Sequence, residues 1–218
     1  RAPAVFDVFP GMKNSMIVGL CVAVANLLIA SPAAYAFSRL QYRRSLPVLL
    51  VYLATRMLPP IMLVVPMFLL MRNLGLIDTT ASLICAYCVF TVPFSIWLLQ
   101  SYFKTMPVEL EDSAIIDGAS RWETMRFIIL PLARPGLTCV AILSFMTSWS
   151  EFLFAVIFTK TTASKTLPVV TASFVDTASI QFDYVMAAGV LTALPPFVLA
   201  LVFQRYIVGG LSAGSVKG

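Results

Sequence analysis

The 218-residue sequence contains no histidine and only ten acidic residues, and charged residues make up 11% of it. Without histidine it lacks the usual general base of serine and cysteine nucleophiles and the commonest ligand of catalytic zinc. It also lacks the G-x-x-x-x-G-K-[ST] phosphate-binding loop. We therefore expect no catalytic centre, no ATP hydrolysis and no metal or cofactor bound by this chain.

Charge is scarce because apolar residues make up 60% of the chain. An average soluble domain has about 25% charged residues, and a domain of this size needs them to cover its surface. The sequence therefore predicts an integral membrane protein that contacts lipid. The fifteen basic residues are scattered. They form no basic stripe interleaved with aromatic residues, which argues against a nucleic-acid partner.

Four cysteines occur, and Cys85 and Cys88 form a C-x-x-C pair. A redox or metal role would need histidine or a second pair at ligand spacing, and neither accompanies them. We interpret both cysteines as packing residues.

Five apolar segments are each long enough to cross a bilayer, which takes ~20 residues. Three carry no charge, while the second contains Arg56 and the fourth contains Glu151. We predict an all-α polytopic bundle, kinked at the many prolines within it. The segments are Asn14–Ser38, Ser45–Met71, Thr79–Phe103, Pro135–Phe158 and Tyr184–Gln204.

The lysines and arginines flanking these segments predict the orientation, since cytoplasmic loops carry more of them. One side carries nine and the other five, so the C-terminus is predicted to be cytoplasmic. The nine are Arg39, Arg43, Arg44, Lys104, Arg121, Arg126, Arg134, Arg205 and Lys217; the five are Arg1, Lys13, Arg72, Lys160 and Lys165.

The one long polar cytoplasmic stretch, Lys104 to Arg126, has the pattern of two short helices joined at a glycine. Pro107 suits a first helical position and three acidic residues follow it, which favours a helix N-terminus there. Gly118 suits the left-handed residue that ends a helix. Ser120 and Glu123 have the spacing of a capping box, which starts the second helix.

This stretch resembles the EAA loop of the permease subunits of ATP-binding-cassette (ABC) importers, whose pattern is E-A-A-x3-G-x9-I-x-L-P. Asp112 stands in place of the glutamate and Ser113 in place of the first alanine. The residues that match the pattern are Asp112, Ser113, Ala114, Gly118, Ile128, Leu130 and Pro131, and the run Ile116-Asp117-Gly118-Ala119 adds to the likeness.

The resemblance implies a type I ABC importer permease: a single transmembrane domain over residues 1–218, with residues 104–131 as its coupling loop. In that family the loop docks into a cleft of a cytoplasmic ATPase, whose dimer binds the ATP and magnesium. The residues that the resemblance assigns to ATPase coupling are Glu109, Glu111, Asp112, Ser113, Ala114, Asp117, Gly118 and Ala119.

The segments Trp149–Phe152 and Val208–Gly218 resemble the carbohydrate branch, which includes the maltose permeases. This implies a multi-pass protein of the bacterial plasma membrane that imports sugars or related polyols. Its implied partners are a second permease subunit in a heterodimer and an extracytoplasmic sugar-binding protein, for which the long loop Thr159–Asp183 is the expected contact. Members usually carry one more helix at the N-terminus, so we expect six spans in a full-length chain.

Polar residues within the spans are the candidates for a substrate path. Trp149, Ser150 and Glu151 offer an indole face, a hydroxyl and a carboxylate that suit a polyhydroxy substrate. Glu151 could instead pair with a basic residue of another helix or lie near the interface. Asn26 and Gln100 favour hydrogen bonds between helices.

Two other functions fit part of this pattern. An ABC permease for polyamines, iron or phosphate would carry much the same coupling loop. An ion-coupled secondary transporter would also have proline-broken helices and a buried acid such as Glu151, although the loop argues against it.

Overall fold

The computed structural model of the chain describes residues 7–39, 47, 51, 54, 57–175 and 182–212, with side chains as far as residue 206. These residues are almost entirely helical, as predicted. The helices are α1 (Val8–Arg39), α2 (Pro60–Asn73), α3 (Thr80–Lys104), α4 (Glu109–Ile116), α5 (Arg121–Thr124), a π-helical turn (Met125–Ile129), α6 (Leu130–Leu132), α7 (Arg134–Trp149), α8 (Leu153–Phe158), α9 (Leu167–Ala172) and α10 (Phe182–Ser212).

Three of the described helices are long and apolar enough to cross a membrane: α1, α3 and residues Phe182–Tyr206 of α10. They correspond to the first, third and fifth predicted spans. The predicted second span is represented by the 14-residue α2. Most of the rest of that span, including Arg56, and the last six residues of the C-terminal segment lie outside the described residues.

The predicted fourth span is not one continuous helix. Helix α7 ends at Trp149, and α8 begins at Leu153 after a three-residue break. At its other end, α7 is bent by 78° from the segment Arg121–Leu132. Pro135 lies beside that bend, and its missing N–H and its ring are common causes of a change in helix direction.

The described chain divides into two compact units. The first comprises residues up to Val22, Leu58–Val89 and Ser144–Val202; the second comprises Ala23–Met57, Phe90–Leu143 and the residues from Phe203 onward.

In the first unit, polar side chains fix the segment that follows α8. The amide nitrogen of Asn14 donates to the carbonyls of Thr162 (3.2 Å), Ala163 (3.1 Å) and Lys165 (3.0 Å). The hydroxyl of Ser15 accepts the N–H of Leu167 at 2.9 Å, at the start of α9. The predicted loop Thr159–Asp183 is therefore in part helical and is anchored to α1.

Asp78, in the turn between α2 and α3, holds the same segment from another direction. Its carboxylate accepts the N–H groups of Lys160 (2.7 Å) and Thr161 (2.9 Å), and the hydroxyls of Thr161 (2.9 Å) and Ser164. Desolvation acts to raise the pKa of Asp78, but these hydrogen bonds outweigh it and hold the pKa well below its ordinary value of 3.8. Asp78 is therefore a charged acceptor that joins two turns of the chain.

In the second unit, polar residues join α1 to α3. The amide nitrogen of Asn26 donates to Thr91 Oγ1 at 2.8 Å, and its oxygen accepts the hydroxyl of Ser95 at 3.1 Å. Nearer the end of α1, Gln100 Nε2 donates to the Phe37 carbonyl at 3.2 Å. Both residues predicted to join helices do so.

Candidate functional site

Helix α4 and the turn after it form the first half of the predicted helix–glycine–helix. The helix begins at Glu109, two residues after Pro107, and its first turn carries the three predicted acidic residues. Gly118 has a φ of +89°, and nothing lies within 4 Å of where a Cβ would be. A side chain there would be opposed by backbone strain rather than by a neighbouring atom. Gly118 therefore ends α4 in the left-handed conformation predicted for it.

The second half begins with the predicted capping box. Ser120 Oγ accepts the N–H of Glu123 at 3.3 Å, and the Glu123 carboxylate accepts the N–H of Ser120 at 2.8 Å. Hydrogen bonds from the Ser120 hydroxyl and N–H lower the pKa of Glu123. Two short helices are thus joined by a defined turn and not by a loose linker.

The residues predicted to couple to an ATPase divide between exposed and buried positions. Glu109, Asp112, Ser113, Asp117 and Gly118 are exposed and Ala119 is half-buried, whereas Glu111 and Ala114 are buried. Glu111 and Ala114 are three positions apart and lie on one face of α4. The exposed members alone are available to a partner protein.

Glu111 is held by α1. Its carboxylate lies 2.5 Å from Arg39 Nε and accepts the hydroxyl of Tyr35 at 2.9 Å, and Arg39 Nη2 donates to the Met106 carbonyl at 2.9 Å. From the sequence, Arg39 was predicted only to be a loop charge, and Glu111 to be part of an acidic helix start and one of the ATPase-coupling residues. The spacing of Glu111 and Ala114 was the signal that could have indicated a buried face.

Several apolar side chains on this loop are exposed. Ile116, at the end of α4, is 85% exposed and Trp122, in α5, is 60% exposed; Val108, Leu110 and Ile115 are also exposed. Several exposed apolar groups within one short polar loop are typical of a surface that another protein covers. The loop therefore combines exposed acidic and apolar groups on a rigid support.

The structure separates the three residues predicted for a substrate path. Trp149 is 1% exposed, and its indole N–H donates to the Thr192 carbonyl at 2.9 Å. The Glu151 carboxylate accepts the N–H groups of Phe154 (3.0 Å) and Ala155 (3.2 Å) at the start of α8. Glu151 thus caps the helix after the break in the predicted fourth span, and it also interacts electrostatically with Tyr87.

Ser150, between them, is exposed and lines a cavity of about 620 Å³. Thr171 and Thr192 also line it, and their hydroxyl oxygens lie 3.3 Å apart. Most of the remaining lining is apolar. Of the three candidates, only Ser150 lines this cavity.

Cys85 and Cys88 are free thiols. Across the part of the chain that the structure describes, no three potential metal-ligating side chains are grouped together.

Comparison with known proteins identifies the family. Residues 26–212 match the family described as the binding-protein-dependent transport system inner membrane component. The chain belongs to this family. Membership makes it a membrane transport component and not an enzyme, and it implies a binding protein and an ATPase as partners.

Curated permease proteins of sugar transport systems are similar to this chain over nearly its whole length. The trehalose/maltose transport system permease protein MalG of Thermococcus litoralis is 41% identical over 212 residues, which is 96% of this chain and 76% of that protein. The trehalose transport system permease protein SugB of Mycobacterium tuberculosis is 39% identical, over 94% of this chain and 76% of that protein. The predicted resemblance to ABC import permeases is therefore confirmed.

Solved structures show the same fold. A chain of a bacterial ABC transporter that imports the acidic polysaccharide alginate has a TM-score of 0.77 at 22% identity, covering 92% of this chain and 75% of that one. A chain of the MetNI methionine ABC transporter, in an inward-facing conformation, has a TM-score of 0.76 at 16% identity, covering 96% and 99%. The predicted all-helical permease fold is confirmed, and the five-span count is not.

Proposed function

We propose that this chain is the permease subunit of an ATP-driven sugar importer, and that residues 104–131 form its ATPase-coupling loop within one permease domain. The observation that carries the proposal is the architecture of α4: an acidic helix, closed by Gly118 and seated on α1 through Glu111, with exposed apolar side chains on the same loop. A rigid helix that offers acidic and apolar groups suits a groove in a partner protein. A movement of that partner would then be transmitted through α4 to α1.

The sugar class comes from the relatives. Their names include transporters of trehalose and maltose, of sulfoquinovosyl glycerol and of diacetylchitobiose. All of these are glycosides with many hydroxyl groups. We infer a substrate of the same chemical class for this chain.

The assembly that we propose has this chain paired with a second permease in a heterodimer over two ATPase subunits, which bind the ATP and magnesium. The chain crosses the membrane five times, with its C-terminus in the cytoplasm. The loop Thr159–Asp183 faces the binding protein. The anchoring of its first half by Asn14, Ser15 and Asp78 supports this placement, since a docking surface benefits from a fixed backbone.

For the substrate path we retain Ser150, with its cavity, together with Glu151 and Trp149. The hydrogen bonds of Glu151 and Trp149 support an indirect contribution, in which they position the break between α7 and α8. Ser150 is the member with a hydroxyl available to a sugar.

The coupling proposal is tested by Gly118→Val in the complete transporter, reconstituted in proteoliposomes with its ATPase and binding protein. Uptake of labelled trehalose and maltose and hydrolysis of ATP are measured together. Valine is strained at a φ of +89°, so the turn after α4 must change. We expect sugar uptake per ATP hydrolysed to fall about fivefold or more.

Gly75→Val is the matched control. Gly75 also has a positive φ, of +68°, with nothing within 4 Å of a Cβ, but it lies in the turn between α2 and α3. It should leave uptake per ATP near the wild-type value. Equal uptake per ATP in the two variants would contradict the coupling assignment.

A further inference from the structure

A buried charged cluster joins α4 to the last turn of α1. It consists of Arg39, Glu111 and Tyr35, and the side chains of Arg39 and Glu111 are only 9% and 5% exposed. The comparisons assign these three residues no role. We propose that this cluster is the positioning joint through which α4 acts on α1 during transport, an inference that rests on the proposed function of the coupling loop.

The guanidinium of Arg39 contacts two parts of the coupling loop. Its Nε faces Glu111 in α4, while its Nη2 donates to the carbonyl of Met106, in the linker before α4. A guanidinium is planar and holds two partners at fixed relative angles. The linker and the helix are therefore both tied to one side chain of α1.

Helix α4 needs such a support. It has eight residues and no side-chain cap at its N-terminus. An isolated helix of this length is unstable in water. The buried face formed by Glu111 and Ala114 therefore fixes the position of α4, and within that face Glu111 makes the polar contacts to α1: a hydrogen bond accepted from Tyr35 and an ion pair with Arg39.

The same end of α1 is bound in turn to α3. Gln100 of α3 donates to the carbonyl of Phe37, two residues before Arg39. Nearer the N-terminus of α1, Asn26 donates to Thr91 of α3. All of these residues belong to the second unit. A displacement of α4 thus reaches α1 and α3 through directional polar contacts and not only through apolar packing, which tolerates sliding.

A buried ion pair is a poor means of adding stability, because apolar residues of similar size often stabilise as well or better. Its particular property is that it specifies one geometry. The expected signature of the joint is therefore a loss of coupling in a complex that still assembles.

The test compares Glu111→Gln with the reversed pair Arg39→Glu/Glu111→Arg in the complete reconstituted transporter. Three quantities are measured: ATPase retained on the purified permease, ATP hydrolysis, and uptake of labelled trehalose or maltose. For Glu111→Gln we expect the ATPase to be retained and uptake per ATP to fall about fivefold or more. The reversed pair should recover at least half of the lost uptake per ATP.

Tyr35→Phe keeps the ion pair and removes one hydrogen bond to Glu111. It provides a milder variant if Glu111→Gln does not assemble, and we expect uptake per ATP to fall about twofold or more. Lys13→Met is the control, since it removes an exposed charge from the same helix; it should couple as the wild type does.

The inference is overturned if Glu111→Gln, or Tyr35→Phe where the former does not assemble, retains wild-type uptake per ATP. It is also overturned if the reversed pair assembles and shows no recovery. Gly118→Val separates the two proposals. If Gly118→Val lowers uptake per ATP and the cluster variants do not, only the proposal of the joint is rejected. If none of these variants lowers uptake per ATP, the proposed coupling function is rejected as well.

Discussion

Asp78→Asn offers a measurable test of how the segment after α8 is held. Asparagine tolerates the left-handed backbone, which Asp78 occupies at a φ of +64°. It also keeps one oxygen to accept the N–H groups of Lys160 and Thr161. The substitution therefore removes the negative charge and the acceptor of the exposed Thr161 hydroxyl, and it keeps the two backbone hydrogen bonds.

The expected cost follows from those bonds. Hydrogen bonds to a charged group contribute about 1.5–3 kcal/mol each, and neutral ones about 0.5–1.5 kcal/mol. Removing the charge from two backbone bonds costs about 2 kcal/mol, which partial exposure of the site reduces to about 1–2 kcal/mol. The population of the opened segment should thus rise about 5- to 30-fold.

Limited trypsin digestion at neutral pH measures this opening, because Lys160 lies within the segment that Asp78 holds. Cleavage after a residue in a locally opened segment follows the population of the open form when reclosing is fast. We expect cleavage after Lys160 to accelerate about 5- to 30-fold in Asp78→Asn. Asp183→Asn, the same change at an exposed acid in the first turn of α10, should leave the rate unchanged. Wild-type cleavage in Asp78→Asn would refute the reasoning.

Two further predictions concern acidic groups of the first unit. The folded-state pKa of Asp78 lies below its ordinary value of 3.8, so its contribution to stability is present above pH 3.8 and is lost as the pH falls through the folded-state pKa. In thermal unfolding in detergent, the unfolding temperatures of wild type and Asp78→Asn should therefore converge below about pH 3. A constant difference between them down to about pH 2 would contradict this. Glu151→Gln keeps one oxygen that can accept an N–H group at the start of α8, but its amide nitrogen cannot accept the second, so the substitution should cost about 1–2 kcal/mol with the complex intact. We expect slower uptake of labelled trehalose or maltose, and an unchanged rate would remove Glu151 from the substrate path.

The helix–glycine–helix between Glu109 and Thr124 could be predicted in detail because its determinants are local. A positive φ at Gly118 and the reciprocal bonds of Ser120 and Glu123 depend on residues within four positions of one another. The conformational preferences of glycine, serine and glutamate at such positions hold wherever the loop is placed. The predicted helix start at Pro107 differs by two residues from the observed start at Glu109, because the same residue pattern is compatible with either start.

The burial of Glu111 could not be read in the same way. Its partners, Tyr35 and Arg39, are more than seventy positions away, and the spacing of Glu111 and Ala114, although compatible with a buried face, does not decide between the faces of α4. Only the packing of α4 against α1 distinguishes them.

The sequence by itself predicted a membrane protein, a polar loop of two short helices joined at Gly118 with a capping box on the second, and a resemblance to import permeases. Apolar content, backbone preferences and helix capping depend on residues close together in the sequence, so their structural consequences can be predicted without a structure. Tertiary structure decided that Glu151 caps α8 after the break in the predicted fourth span, that Trp149 is buried against Thr192, and that Glu111 faces α1 and not solvent. A hydrogen bond or an ion pair between distant residues depends on which helix faces are brought together, and that is a property of the whole fold.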